Sequence, residues 1–171
     1  MTFEAAQKVA DAVLYEGYIL YPYHAASDKN RVRFQFGVVA PMDFSLTDGS
    51  EAWDMQTECL LAATDDGTRI DVRVRFLQLQ ARAVEAIDPD AESGFVPVAS
   101  LELGGEEFVS WDEAVERQID ATNIRLDDLL GAAQSIEFSL DGGEAIEHAH
   151  GPAGEVTGRL VRTRWPIVGL L

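Results

Sequence analysis

Polar and apolar residues alternate one by one through Arg31-Val32-Arg33-Phe34-Gln35-Phe36. They do so again from residue 69 onward, where Val72, Val74 and Phe76 fall on one side. Side chains that change sides at every residue mark a strand with one buried and one wetted face, a period no helix satisfies. Turn-forming groups punctuate the chain: Asp48-Gly49, Asp65-Asp66-Gly67, Gly104-Gly105 and Asp141-Gly142-Gly143. Such turns join neighbouring strands antiparallel. The expected fold is mainly β, with α+β as the alternative. It is an antiparallel β-sandwich or open barrel of about six or seven strands with a helix at the N-terminus.

That helix is expected over residues 3–15. Ala6, Val9, Ala10, Val13 and Leu14 line one side opposite Gln7, Lys8 and Asp11, Thr2 suits the N-cap, and Gly17 suits the stop. Pro22 keeps the residue before it extended, so residues 18–23 read as extended chain. Further strands are expected at 55–63, 136–140 and 159–168, a hairpin around Gly104-Gly105, and a short helical turn at 126–130. In the run from 69 to 80 the apolar phase moves from Phe76 to Leu77 and Leu79. That shift predicts a bulge, or a strand buried on both faces. Residues 111–121 read two ways. Ser110 with Glu113 makes a capping box, and Trp111, Val115 and Ile119 recur every four residues, as in a helix. The same three residues also share one strand face.

The chain has 171 residues, a length suited to one domain spanning 1–171, and carries 30 acidic and 13 basic side chains for a net charge of -17. Such a surface repels nucleic acid and anionic membranes alike. No run approaches the roughly 18 apolar residues of a membrane span, and no basic, apolar leader is present, so no membrane insertion and a cytoplasmic location are expected. Lysines number 2 against 11 arginines, a bias that fits either a GC-rich genome or a salt-adapted surface. Cys59 is the one cysteine, which excludes an intrachain disulfide and a cysteine zinc site. In Glu58-Cys59-Leu60-Leu61 it is expected to be a small core residue.

Three constellations carry chemistry. Tyr15, Tyr18, Tyr21 and Tyr23 surround Pro22, a composition suited either to a peptide-binding groove or to sealing the helix against the sheet. Ten of the 13 basic residues fall in three expected strands, where Arg31 with Arg33, Arg73 with Arg75, and Arg162 with Arg164 share faces. If those strands are neighbours, an arginine stripe would receive a protein partner with an acidic patch or an anionic ligand. If they are not, the guanidinium groups pair with acids such as Glu58, Asp71 and Glu137. Finally, His148 and His150 project to one side of a strand and, with His24 as a third ligand, would form the metal site of a small metal-dependent enzyme.

Catalytic signatures are missing. There is no glycine-rich phosphate loop, no Gly-x-Ser-x-Gly elbow and no evident nucleophile–base pair. The calcium-like run from Asp88 to Gly94 fails because Ala99 stands where the bidentate acid belongs. The reading is therefore a non-enzymatic interaction or accessory module without a cofactor, with the metal enzyme as its alternative. The apolar end Trp165-Pro166-Ile167-Val168-Gly169-Leu170-Leu171 is either tucked in, paired with a partner or a second copy, or the junction to a longer architecture.

The run Val9-Ala10-Asp11-Ala12-Val13-Leu14-Tyr15-Glu16-Gly17-Tyr18-Ile19-Leu20-Tyr21-Pro22-Tyr23 leads to Lys29-Asn30 and Arg33-Phe34-Gln35-Phe36-Gly37-Val38. With Val74-Arg75-Phe76-Leu77-Gln78-Leu79-Gln80, Trp111-Asp112-Glu113-Ala114-Val115-Glu116 and Gly158-Arg159-Leu160-Val161-Arg162, it resembles a family found in nickel–iron hydrogenase gene neighbourhoods, mainly in actinobacteria. The resemblance spans most of the chain. It departs at His24, where the family tends to place arginine, and at the end, where family members continue into a further region. The resemblance implies a front domain with, at most, a hydrogenase-associated accessory role.

Overall fold

The computed structural model describes residues 3–15, 38–63 and 67–171. Where the length suggests a single domain, the chain divides into two units, Met1–Thr68 and Arg69–Leu171. In the first, α1 (Glu4–Tyr15) realises the expected N-terminal helix. Its Val9 and Val13 are 66% and 67% exposed, one turn apart on the same apolar stripe. A second helix, α2 (Met42–Asp48), follows Pro41 and stops at Gly49, whose φ of 72° lets its N–H reach the Ser45 carbonyl at 2.9 Å. Residues 55–63, expected as a strand, have no regular structure. Glu58-Cys59-Leu60-Leu61 lacks the alternation that would give it one buried face, so Cys59 is exposed rather than in a core.

The second unit is mainly β and antiparallel. Its organising element is β1 (Arg69–Ile87), a 19-residue strand. One edge of β1 pairs along most of its length with β5 (Trp111–Arg125) and then with β2 (Phe95–Pro97); the other pairs with β8 (Val156–Arg164), which carries β7 (Gly143–His150). The hairpin of β3 (Ser100–Leu103) and β4 (Glu106–Val109) turns through Gly104 and Gly105, with φ of 62° and 85°. Positive φ at both loop positions is what the two-residue type I′ turn requires, and glycine supplies it without strain. After the short helix α3 (Leu126–Gly131), β6 (Glu137–Leu140) pairs with β9 (Ile167–Leu170). The apolar end of the chain is therefore strand-paired within the same molecule, although Val168 remains 83% exposed.

The two-way reading at 111–121 resolves to strand. Fourteen residues of β1 offer a register partner or bulge position to β5, from Arg69↔Arg125 to Arg82↔Trp111, and that ladder outweighs a local capping box. The bulge expected near Leu77 lies elsewhere, in β5, opposite the step from Ile70 to Val72. There Asn123 takes a φ of 62°, held by its N–H to Asp71 Oδ1 (2.7 Å) and by Arg69 on its own Oδ1 (2.9 Å).

From Val72 onward, alternation along β1 is unbroken, so the sheet has two distinct faces. The inner face carries Val84 and Leu160, directly opposite one another and fully buried, with Leu101 from the hairpin and Ala149. Val98, Leu103 and Phe108 close this core. Farther along the same face, Phe76 meets Phe138 of β6 with ring centroids 6.0 Å apart, and Gly169, opposite Phe138, leaves room for its ring. Gly158 is equally obligatory. A Cβ there would press into the Glu85 carbonyl and lie 2.7 Å from Leu101 Cδ1. Gly158→Ala is expected to destabilise the unit by about 2 kcal/mol, read from the midpoint of chemical denaturation. Among the described residues, no helix is long and apolar enough to cross a membrane.

Candidate functional site

The register that builds the core also separates the arginines. Arg73 and Arg75 on β1 point to the outer face. Arg162 lies opposite Arg82, and Arg164 opposite Gln80, both on the inner face. The β8 pairing begins only at Gln80, so the two arginine pairs share neither a face nor a level of the sheet. Among the described residues the expected stripe does not form, and Arg31 and Arg33 lie outside them.

Arg73, Arg75, Arg82, Arg159 and Arg162 instead each find a carboxylate on a neighbouring strand. On the outer face, Arg73 forks onto Asp120 at 2.8 and 3.0 Å, and Arg75 Nε donates to Glu116 at 2.9 Å. The Arg73 fork holds the Asp120 carboxyl below the usual aspartate range, and Asp120 in turn raises the Arg73 guanidinium. A depressed carboxyl pKa means this pair contributes in full above the ordinary aspartate range and is lost as pH falls below that range through the lowered value. Arg159 pairs with Glu85 at 2.6 Å and lies over the Phe95 ring at 4.1 Å.

On the inner face, Glu113 is the hub. It accepts Gln80 at 2.7 Å, Arg82 at 2.6 Å and Arg162 at 3.3 Å. Arg162 also donates to Glu147 at 2.9 Å, and that bond, with the nearby Glu113 charge, holds its guanidinium above the ordinary value. Gln78 completes the polar belt by accepting Arg117 at 2.7 Å and donating to the Trp165 carbonyl at 2.8 Å. This belt explains an inversion along β1. Gln78 and Gln80 are buried to 2% and 8% exposure, whereas Leu79 between them is 50% exposed. Part-buried guanidinium and carboxylate groups need partners that solvent does not fully supply, and the two glutamines provide amide groups for them.

The outer face has the opposite character. Leu77, Leu79, Ala81 and Ala83 follow one another along β1, then Val161 on β8 and Ile146 on β7 continue the band across the sheet. Ile146 is 45% exposed. Acidic residues border the band: Asp112, Glu116 and Asp120 on β5, and Glu144 on β7.

Of the histidines, His148 lies on the outer face with its ring 6.3 Å from that of Phe95, and His150 Nδ1 is 3.2 Å from the Gly154 carbonyl. Among the described residues no three His, Cys, Asp or Glu side chains group as a metal site would need. His24, Tyr18, Tyr21 and Tyr23 lie outside the described residues; Tyr15 ends α1. The run from Asp88 to Gly94 is a self-satisfied turn, with Asp90 N–H on Asp88 Oδ1 at 3.0 Å and Asp88 N–H on the Gly94 carbonyl at 2.9 Å. An open hollow of about 400 Å³ at the hairpin is lined by Ser100, Glu102, Gly105 and Glu107.

Sequence reasoning missed both Glu113 as a hub and Leu79 as a surface residue. The only signal for them was the phase shift after Phe76. Comparison with protein-family models, curated proteins and solved structures returns no match.

Proposed function

We propose that this chain is a non-enzymatic protein-interaction module that docks through the outer face of its sheet. The observation that carries this reading is the exposure of Leu79 (50%) and Ile146 (45%) on an apolar band whose other members are part-buried or, at Val161, buried, on a face where Arg73, Arg75 and Arg159 already hold carboxylates of their own chain. The partner is a protein with an apolar contact centre and a basic rim. Arg73, Arg75 and Arg159 are matched by Asp120, Glu116 and Glu85, Glu144 adds a further acid at the border of the band, and the chain carries a net charge of -17. An acidic partner would meet like charge there, whereas a basic rim is attracted and steered. The hydrogenase-associated accessory role implied by the resemblance is of the same kind.

Affinity purification of the full chain from its native host, repeated with Leu79→Glu and with Leu130→Glu, tests the reading. Leu130, 84% exposed on α3, is the control. A partner lost with Leu79→Glu, kept with Leu130→Glu, and released at least tenfold more readily at high salt supports it. A partner set indifferent to Leu79→Glu, or a partner that contacts the chain through an acidic surface, overturns it.

A further inference from the structure

The end of the five-stranded sheet makes a second, independent prediction. β7 is its last strand, and among the described residues the far edge of β7 is unpaired. Edges of this kind are usually blunted by a bulge, a proline or a lysine. Gly143-Glu144-Ala145-Ile146-Glu147-His148-Ala149-His150 has no lysine or proline, and its acids are Glu144 and Glu147, of which Glu147 is held by Arg162 on the inner face. The irregularity beside it lies in β8, where Thr157 is the extra residue opposite the Ala149–His150 step. The edge also carries Ile146 at 45% exposure.

We infer that two copies of this chain join edge to edge through β7, antiparallel, with Ile146 on the two-fold axis. Register follows from geometry. Directly opposite residues of an antiparallel pair present their side chains to the same face of the sheet, so a symmetric pair places a residue, and not the gap between two, on the axis. With Ile146 there, Ile146 meets Ile146, Glu144 of each copy faces His148 of the other, and Glu147 faces Ala145. Centring on Glu147 sets two carboxylates opposite each other. Centring on Ala145 sets Ile146 against Glu144 and leaves both His148 side chains without an acid. Only the Ile146 register buries the apolar residue while pairing opposite charges, which is how cross-strand pairs select register.

His148 suits this role from its own side of the seam. Its register neighbour Arg159 is held by Glu85 at 2.6 Å, and Phe95 supports its ring. The seam also continues the outer apolar band from one copy into the next. The opposing term is the charge of -17 on each copy, which salt screens to a range of about 8 Å at physiological ionic strength.

Analytical ultracentrifugation of the full chain at pH 6 and 0.15 M salt, over a wide concentration range, tests the assignment. Reversible dimer formation is expected. Ile146→Asp should abolish it, and because the residue is half exposed this variant should fold like the wild type. Glu144→His and His148→Glu, each creating two like-charge pairs across the seam, should weaken dimerisation roughly tenfold. The double variant, which exchanges the charges, should recover it to within about threefold. Leu79→Glu, two strands away, should leave it unchanged, which separates this edge from the docking face. A monomer at all concentrations, a dimer insensitive to Ile146→Asp, or a double variant as weak as either single one would overturn the proposal.

Discussion

Leu160→Ala is expected to lower the stability of the Arg69–Leu171 unit by about 3–4 kcal/mol, within the usual range for a large-to-small change in a closed core. Leu160 is fully buried and stands opposite Val84, also fully buried, beneath the β3–β4 hairpin. The cavity left behind has little means of collapsing, since Val84 and Leu160 sit on strands clamped by their ladder and Gly158 already brings β8 against Leu101. The described core is small, so a single cavity removes a large share of it. Loss of this size is a sizeable fraction of a domain's total of about 5–15 kcal/mol. Urea denaturation followed by tryptophan fluorescence measures it. Leu79→Ala is the matched control: the same atoms are removed from a half-exposed site, and the cost should stay below about 1 kcal/mol. A cost for Leu79→Ala as large as that for Leu160→Ala would mean that the outer face of the sheet is as closed as the inner one.

The second large effect is expected at Glu113. Removing its carboxylate with Glu113→Ala leaves Arg82, whose side chain is 16% exposed, and Arg162, 25% exposed, short of an acceptor at once, and strips Gln80 as well. Breaking a buried pair by deleting one partner costs about 3–5 kcal/mol, because the surviving charge stays desolvated. Here the loss is tempered. Arg162 keeps Glu147 at 2.9 Å, Arg82 keeps the Val109 carbonyl at 3.0 Å, and water reaches part of the cluster. About 2–3 kcal/mol is expected. Glu113→Gln, which preserves shape and one acceptor oxygen, should cost roughly half as much. By contrast, Asp127→Ala breaks an ion pair with Arg125 at 3.2 Å whose side chains are 48% and 46% exposed, and should change stability by less than about 0.5 kcal/mol. If Glu113→Ala proved as mild as Asp127→Ala, the inner-face cluster would have no structural weight.

What the sequence alone determined is local and periodic. The alternation of Val72, Val74 and Phe76 marked a strand. Gly104-Gly105 marked a hairpin, and the spacing of Val9 and Val13 marked the N-terminal helix, because each rests on backbone geometry within a few residues. Wherever a residue's state depended on a distant partner, the tertiary structure decided. Residues 111–121 are a strand because β1 offers them a ladder from 29 residues or more away, and 55–63 are not because no comparable partner is present among the described residues. The phase shift at Leu77 and Leu79 was visible, yet its meaning was not. It marks a strand whose inner face turns polar to serve Glu113, Arg82 and Arg117, leaving the leucines outside. The arginine pairs were legible as pairs, since alternation is a local rule. Whether they share a face depends on register, and a shift of one residue moves every side chain to the other side of the sheet.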